Sequence, residues 1–270
     1  MTKDCGVVYI GTGERIVKEI LRSATSLKEI HPDMRITVFS DRKIERPDLF
    51  ESERIISNPE YSYIDKILPL TETPYKYTLY LDSDTIVVNQ VTALFELLDQ
   101  FDLAVALEPK PKRLQYPTAV PVSFPEYNTG VFSYRKNEAN CDLFRRWHDL
   151  YLDQKTNVPG TTHDQPAFRE ALYHSSARFA TLPNQYNLRT LYLTALSRNI
   201  ETTIIHHRAF DMKKLPLLRG TDHERVIFPD PFVLDSKRLV ILGRGGSCFH
   251  RFIATITAVL KFFRSGRKRG

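Results

Sequence analysis

The hydrophobic and polar positions of the first forty residues predict a β-α-β unit. An apolar strand, "GVVYI", precedes the turn "GTGE", and apolar residues at helical spacing then continue to Ile30 before Pro32 ends the helix. A second apolar run, "RITVFS", predicts the next strand. Such units imply parallel strands joined by right-handed crossovers, with ligands bound at the carboxyl ends of the strands.

The rest of the pattern predicts an α/β fold with one mostly parallel sheet and flanking helices. The strand "YTLYLDSDTIVV" is followed by a helix near "VTALFELLDQF" and by the strand "DLAVALE". A strand "TGVFSYRK", helices in "ANCDLFRRWHDLYLDQ" and "HDQPAFREALYH", and a late strand "TTIIHHR" complete the pattern. Residues 109–125 contain five prolines and predict an extended loop, either a substrate-binding lid or a plain surface connection.

Composition narrows the class of protein. With 42% hydrophobic and 26% charged residues, the chain has the make-up of a soluble globular protein. Its three cysteines lack CxxC spacing, which argues against a disulfide framework or a thiolate zinc site and favours a reducing compartment. We expect no secretory signal, because "MTKDCGVVYI" lacks a long apolar segment, and no membrane-spanning helix. A cytoplasmic location is therefore expected.

The formal net charge of +6 is concentrated at the C-terminal end. Residues 251–270 carry six basic side chains and no acid, and the preceding residues contain 32 basic and 32 acidic side chains. A neutral body argues against nucleic-acid binding. The sequence thus predicts a main domain at 1–240 and a basic amphipathic tail at 241–270. The apolar stripe of that tail either lies on an anionic membrane surface or packs against the domain.

Two carboxylates interrupt the third or fourth predicted strand. Asp82 and Asp84 lie two residues apart, so on an extended segment their side chains leave the same face. Two uncompensated charges there would be costly, and a divalent cation such as Mg²⁺ or Mn²⁺ would cancel that cost. The alternative is a solvated turn in which Asp82 caps the next element.

The segment "YLDSDTIV" resembles the DxD signature of glycosyltransferase family 8, a family with the GT-A nucleotide-diphospho-sugar transferase fold. Further stretches resemble that family's motifs in the same order, over about residues 6 to 215. These stretches are "YIGTG", "YIDKILPL", "EYNTGVFSY", "HDQPAF" and "TTIIHHRAFDMK". One departure is Ile16, which stands where the family commonly has an aromatic residue that stacks on the base.

The resemblance implies a site for a nucleotide sugar and a metal ion. Its members would be the turn residues Thr12 and Gly13, the lysines Lys66 and Lys213, the DxD residues Asp82, Ser83 and Asp84, the third metal ligand His206, and the sugar-binding or catalytic residues Asn128, Asp164 and Gln165.

Several of these assignments have alternatives. The apolar context favours His206 as the metal ligand, whereas a spacing of six residues to the lysine favours His207. Either lysine could be a solvated surface residue. Asp164 could be only the N-cap of the following helix.

The implied activity is a metal-dependent, retaining transfer of a hexose. The donor would be UDP-glucose or UDP-galactose with Mn²⁺ or Mg²⁺, and the acceptor a glycan or a lipid-linked molecule on the cytoplasmic face of a membrane. A covalent intermediate and front-face attack both remain open as mechanisms. One alternative is a sugar-nucleotide pyrophosphorylase, although "GTGERIVK" has little glycine for its phosphate loop. Another is a non-catalytic, membrane-recruited module that binds sugar nucleotides.

Overall fold

The computed structural model describes residues 4–108, 111, 120–190, 194–196, 200–208, 225–228, 232–235 and 239–241. Lys213, most of the proline-rich loop and the predicted tail beyond residue 241 lie outside these described residues. Within the described part of the chain, no helix combines the length and apolar character needed to cross a bilayer.

Strands and helices alternate along the chain, as the sequence pattern predicts. In chain order the strands are β1 (Cys5–Gly11), β2 (Ile36–Ser40), β3 (Ser52–Ile55), β4 (Tyr77–Leu81), β5 (Thr85–Val87), β6 (Leu103–Leu107), β7 (Tyr127–Arg135), β8 (Phe179–Leu182), β9 (Thr194–Leu196), β10 (Ile204–His206), β11 (Arg225–Phe228), β12 (Phe232–Asp235) and β13 (Leu239–Ile241). The α-helices are α1 (Glu14–Ile30), α2 (Ala93–Glu96), α3 (Glu138–Asn157) and α4 (Gln165–Tyr173). Short 3₁₀ helices cover Tyr63–Lys66, Leu68–Glu72, Leu97–Asp99 and Asn184–Tyr186.

A seven-stranded sheet forms the centre of the fold, with the strand order β3-β2-β1-β4-β7-β6-β8. Strands β3, β2, β1 and β4 pair in parallel, and so do β6 and β8. Strand β7 runs antiparallel to both of its neighbours, β4 and β6. The predicted α/β architecture with a mostly parallel sheet is confirmed. Two smaller antiparallel sheets, β10-β5 and β13-β12-β11-β9, are added to it.

Each face of the central sheet has its own apolar core. Along β1, Val7 and Tyr9 pack into the cluster that contains residues of α1, whereas Val8 and Ile10 pack into the cluster on the opposite face. Strand residues that alternate between two buried faces give a continuous apolar run, which explains the uninterrupted "GVVYI" pattern. The second cluster includes Trp147 of α3 and residues of α4, so the three layers of the fold are helix, sheet and helix.

The stretch 77–88 forms two strands, so the prediction of a single strand there is wrong. Strand β4 ends before Asp82, and residues 82–84 form a turn. The amide and the hydroxyl of Thr85 both donate to the carbonyl oxygen of Asp82, at 3.2 and 2.8 Å. These bonds turn the chain out of the central sheet, and β5 then pairs with β10. The two carboxylates therefore share a tight turn rather than one face of an extended strand.

Helix α4 begins at a point fixed by the aromatic core. The indole nitrogen of Trp147 donates to the carbonyl oxygen of Asp164 at 3.0 Å, and Trp147 is fully buried. The ring of Trp147 also packs edge-on against Phe168 of α4, with 4.9 Å between ring centroids. This packing sets the position of Asp164 and Gln165 at the edge of the sheet.

Arg169 fastens the end of the proline-rich segment to α4. It is fully buried, its Nε donates to the carbonyl oxygen of Phe124 at 2.9 Å, and its Nη2 donates to the carbonyl oxygen of Pro121. We expect Arg169→Met to lower the free energy of unfolding by about 3 kcal/mol, because it removes the hydrogen bonds that the buried guanidinium donates to these two carbonyl oxygens. Urea denaturation measures the change. Arg145→Met, on the exposed surface of α3, is the control and should cost less than about 0.5 kcal/mol; equal losses for both variants would contradict the account.

Candidate active site

A cleft of about 800 Å³ opens at the carboxyl ends of β1 and β4. Ligands of open α/β sheets bind at this edge, where parallel strands end together. The predicted site residues that line the cleft are Thr12, Lys66, Asp82, Ser83, Asp84, Asn128, Asp164, Gln165 and His206. This edge of the central sheet thus brings together residues from widely separated parts of the chain.

Asp82, Asp84 and His206 form a cluster in this cleft. One ligand atom from each residue lies within 4.8 Å of the others. The Nε2 atom of His206 lies 3.2 Å from Asp84 Oδ1 and 3.8 Å from Asp82 Oδ2. The pairing of β5 with β10 creates this cluster, because its register places His206 opposite Thr85, directly after the turn.

A glycine leaves room for the cluster. Gly130 lies on β7, and its carbonyl oxygen accepts a hydrogen bond of 2.7 Å from the amide of Asp82. A Cβ atom at Gly130 would lie 2.2 Å from His206 Cε1 and 2.7 Å from Asp82 Oδ2. These distances are too short for a side chain, so this position holds the two ligands close only because it is glycine.

Hydrogen bonds orient His206 toward the carboxylates. Its Nδ1 lies 2.8 Å from Asn187 Oδ1, an arrangement in which Nδ1 donates and Nε2 is left facing Asp82 and Asp84. The neighbouring His207 instead has its Nδ1 2.7 Å from the hydroxyl of Thr190. Of the two histidines that the sequence left open, His206 is the one in the cluster.

The cluster has the chemistry of a divalent-cation site. Burial disfavours the charged carboxylate of Asp84, but the adjacent His206 ring and Arg208 guanidinium outweigh burial and hold the pKa of that carboxyl well below its usual value. Asp84 is thus kept ionised without a metal ion. Two hard carboxylate oxygens and one imidazole nitrogen, within 4.8 Å of one another, suit Mn²⁺ or Mg²⁺.

Lys66 joins the cluster to Asp164. The ammonium nitrogen lies 3.1 Å from Asp164 Oδ2 and 3.5 Å from Asp82 Oδ1, and the side chain is only 7% exposed. Burial opposes the charge on Lys66, but the two carboxylates outweigh burial and raise the pKa of Lys66 above its usual value. Lys66 is therefore a buried ion-pair partner, and the surface-lysine alternative does not hold for it.

Asp164 occupies the N-cap position of α4, yet its side chain makes no capping hydrogen bond. One carboxylate oxygen, Oδ2, accepts a bond of 2.9 Å from the hydroxyl of Thr129 and contacts Lys66. Capping alone therefore does not explain this residue. A buried carboxylate that contacts Lys66 and lines the cleft is a candidate for an electrostatic role at this site.

Sequence reasoning missed Glu108, which organises two predicted sugar-binding residues. Its Oε2 accepts hydrogen bonds from Asn128 Nδ2 at 2.8 Å and from Gln165 Nε2 at 2.6 Å. Arg189 lies 3.6 Å from the same oxygen. The available signal was an acidic residue at the carboxyl end of the apolar strand β6, the end at which parallel α/β sheets bind ligands.

Asn187 links this network to the cluster of Asp82, Asp84 and His206, and the sequence analysis did not predict it. Its Nδ2 donates to Asn128 Oδ1 at 2.9 Å, while its Oδ1 contacts His206. Asn128 Oδ1 also accepts from the amide of Gly130 at 3.1 Å. No local sequence pattern marks Asn187, because its role depends on the fold bringing 187 and 206 together.

The other end of the cleft is formed by the turn after β1. Thr12 donates its hydroxyl to Asp65 at 2.7 Å, and the amide of Gly13, which has a positive φ of 88°, donates to Asp41 at 3.0 Å. Gly13 itself is not among the residues that line the cleft. Tyr61 does line the cleft, 66% of its surface is exposed, and its ring lies beside this turn. An exposed aromatic ring is therefore present here although Ile16 is not aromatic.

No protein-family model matches the chain, and no curated protein matches it significantly. Solved structures do match. The glycosyltransferase GlyE of Streptococcus pneumoniae TIGR4 is similar with a TM-score of 0.52 and 20% identity, over 69% of this chain and 48% of GlyE. An active-site mutant of LgtC has a TM-score of 0.52 and 14% identity, over 75% of this chain and 86% of LgtC. The chain has the GT-A fold.

The fold predicted from the sequence is thus confirmed. A further structure, the galactosyltransferase LgtC in complex with donor and acceptor sugar analogs, has a TM-score of 0.51 and 12% identity, again over 75% of this chain and 86% of LgtC. The chain spans about half the length of GlyE, 48%. At such identities the similarity establishes a GT-A fold shared with glycosyltransferases, and the activity has to be argued from the site.

The Gly130 position offers a direct test of the metal cluster. We expect Gly130→Ala to weaken Mn²⁺ binding about tenfold or more, because the added Cβ displaces His206 and Asp82. Isothermal titration calorimetry with MnCl₂ measures the affinity. Gly6→Ala is the matched control, since its Cβ would also meet a side chain, the ring of Tyr75 at 2.4 Å, but on β1. That variant should lose stability and keep Mn²⁺ affinity; unchanged affinity in Gly130→Ala would contradict the assignment.

Proposed function

We propose that the protein is a metal-dependent, retaining glycosyltransferase that moves a hexose from a nucleoside diphosphate, UDP by preference, to a glycan or lipid-linked acceptor. The observation that carries the proposal is the cluster of the half-buried Asp82 and Asp84 with the buried His206 at the ligand-binding edge of a GT-A fold. A divalent cation held by one or two carboxylates commonly completes its coordination with the phosphate oxygens of a substrate.

Asp82, Asp84 and His206 would hold Mn²⁺ or Mg²⁺. When bound, the ion would act as a Lewis acid that neutralises negative charge on the diphosphate leaving group. Tyr80 assists the protein part of this site, since its hydroxyl donates to Asp82 Oδ1 at 2.6 Å. Asn187 fixes the ring orientation of His206. The chain thus prepares the ligands before any ion arrives.

The nucleoside would occupy the end of the cleft beside the turn after β1. Thr12 and Tyr61 line this end, and the exposed ring of Tyr61 offers a flat surface on which a base can stack. Ser83 lines the cleft as well, and its hydroxyl donates to Glu19 at 2.8 Å. This part of the chain binds and orients the donor.

The donor sugar would lie over Glu108, Asn128 and Gln165. These side chains already bond to one another, so their remaining donors and acceptors point from fixed positions. A preorganised polar floor selects sugar hydroxyls without the cost of ordering loose side chains. The hexose, glucose or galactose, is set by these contacts.

Asp164 would stabilise the positive charge that develops on the sugar ring. Its carboxylate is held in place by Lys66 and Thr129, so it does not need to reorganise during transfer. The same placement serves a covalent intermediate or front-face attack by the acceptor. Lys66 would act on Asp164 and Asp82 and thereby position both carboxylates.

Release of UDP from a nucleotide sugar in the absence of pyrophosphate would separate this proposal from its two alternatives. A sugar-nucleotide pyrophosphorylase would need pyrophosphate to cleave the nucleotide sugar. A non-catalytic binding module would not cleave it and would release no UDP. The buried pair of Lys66 and Asp164 favours a catalytic role over a passive module, because removing two charges from water has a large free-energy cost even when they pair. The proposal also includes binding of the protein to an anionic membrane surface through residues 241–270. The acceptor would then lie on the cytoplasmic face of that membrane.

The proposal predicts nucleotide binding that depends on the metal ion. UDP affinity should rise about tenfold or more when Mn²⁺ is added, and chelation with EDTA should abolish the gain. Asp84→Asn should lose the gain because it removes a ligand charge, whereas the exposed Asp142→Asn should keep it. Isothermal titration calorimetry measures each affinity. Equal UDP affinity with Mn²⁺ and with EDTA in the wild-type protein would overturn the proposed function.

The proposal further predicts that Asp164 acts in the chemical step. We expect Asp164→Asn to slow the metal-dependent hydrolysis of UDP-glucose and UDP-galactose roughly 100-fold or more, because a neutral amide cannot stabilise positive charge. UDP affinity should change by less than about threefold, since Asn keeps the size of the side chain. Released UDP is quantified by a coupled assay, with the exposed Asp149→Asn as control. Wild-type rates in Asp164→Asn would exclude this role.

A further inference from the structure

Arg208 lies at the rim of the metal cluster, two residues after His206. Its guanidinium Nη1 is 3.1 Å from Glu19 Oε1, and its Nε is 3.7 Å from Asp84 Oδ2. The side chain is 40% exposed and lines the cleft. A permanent positive charge is thus held beside a proposed metal ligand, on the side facing α1 and open to solvent.

Lys66, also beside the cluster, is placed differently. It is 7% exposed and is enclosed between Asp164 and Asp82, so its charge already compensates two buried carboxylates. Moving Lys66 onto a ligand would leave Asp164 buried without its cation, which is strongly unfavourable. Arg208 is not constrained in this way and can contact a ligand, because its contact to Asp84 is longer than a hydrogen bond and its guanidinium reaches solvent.

Glu19 holds Arg208 in place from helix α1. One carboxylate oxygen, Oε1, pairs with Arg208 and lies 3.5 Å from Arg15, while Oε2 accepts the hydroxyl of Ser83. The same residue therefore fixes both the guanidinium and the middle residue of the DxD turn. A guanidinium has five donors in a planar fork, so a single carboxylate leaves donors available for a second oxyanion.

We infer that Arg208 binds the diphosphate of the nucleotide donor, with Glu19 as its positioning residue. The inference rests on the proposed function and deepens it. The diphosphate of a nucleotide bound at Asp84 has to lie next to this guanidinium, and the fork geometry of arginine matches phosphate oxygens. The sequence resemblance included Lys213 in the nucleotide-sugar site; Arg208 is an additional cation, to which the resemblance gave no role.

Calorimetry on the full chain with UDP at saturating Mn²⁺ tests this inference. Arg208→Gln should weaken UDP binding about tenfold to 100-fold, the loss expected for hydrogen bonds to a charged group. Arg208→Lys should recover part of the affinity, because it restores the charge without the planar fork. Glu19→Gln should give an intermediate loss. Arg145→Gln, on the exposed face of α3, should bind UDP as the wild type does.

Titration with MnCl₂ alone provides the second readout. Arg208→Gln should bind Mn²⁺ at least as tightly as the wild type, since it removes a cation that faces Asp84. If Arg208→Gln instead weakens Mn²⁺ by the same factor as UDP, Arg208 merely holds the metal ligands in place and the inference is wrong. Wild-type UDP affinity in Arg208→Gln would also overturn it.

Different results would disprove the proposed function and the role of Arg208. If the wild-type protein shows no Mn²⁺-dependent affinity for UDP, the proposed function fails and the role of Arg208 falls with it. If the wild type binds UDP with Mn²⁺ and Arg208→Gln binds it equally, only the assignment of Arg208 fails.

Discussion

The repulsion between two carboxylates in one tight turn is the constraint on which the site depends. Asp82 and Asp84 are separated by one residue and are mostly buried, so the fold has to place positive charge close to both carboxylates. His206, Lys66 and Arg208 surround them from three directions. The pairing of β5 with β10 brings His206 to the two carboxylates, and the absence of a side chain at Gly130 leaves room for this approach.

This charge arrangement also connects the cluster of Asp82, Asp84 and His206 to the side of the cleft that is proposed to bind the sugar. Lys66 contacts Asp82 and Asp164 at once, so the carboxylate proposed for metal binding and the one proposed for catalysis share a counter-ion. Asn187 makes a second connection, from His206 to Asn128. Low dielectric strengthens such networks when every member is satisfied. The donor would therefore meet a site whose polar groups are already in position.

The elements and the local motifs could be predicted from the sequence because each is encoded within a short segment. Apolar spacing marked α1 and the strands, and DxD and the apolar-apolar-His pattern marked Asp82, Asp84 and His206. The turn at 82–84 was mistaken for extended strand, since the bonds of Thr85 that form it do not show in a hydrophobic pattern. Glu108, Asn187 and Arg208 acquire their roles only from tertiary pairing, which one sequence without the fold does not reveal.

The central claim is that Asp82, Asp84 and His206 hold a divalent cation that contacts the diphosphate of the donor. A crystal structure of the protein grown with MnCl₂ and UDP, with anomalous diffraction data for manganese, tests it most directly. The account predicts an anomalous peak bonded to all three side chains, with the UDP phosphates beside it and Arg208. A well-ordered UDP in the cleft without a manganese peak between these residues would contradict it.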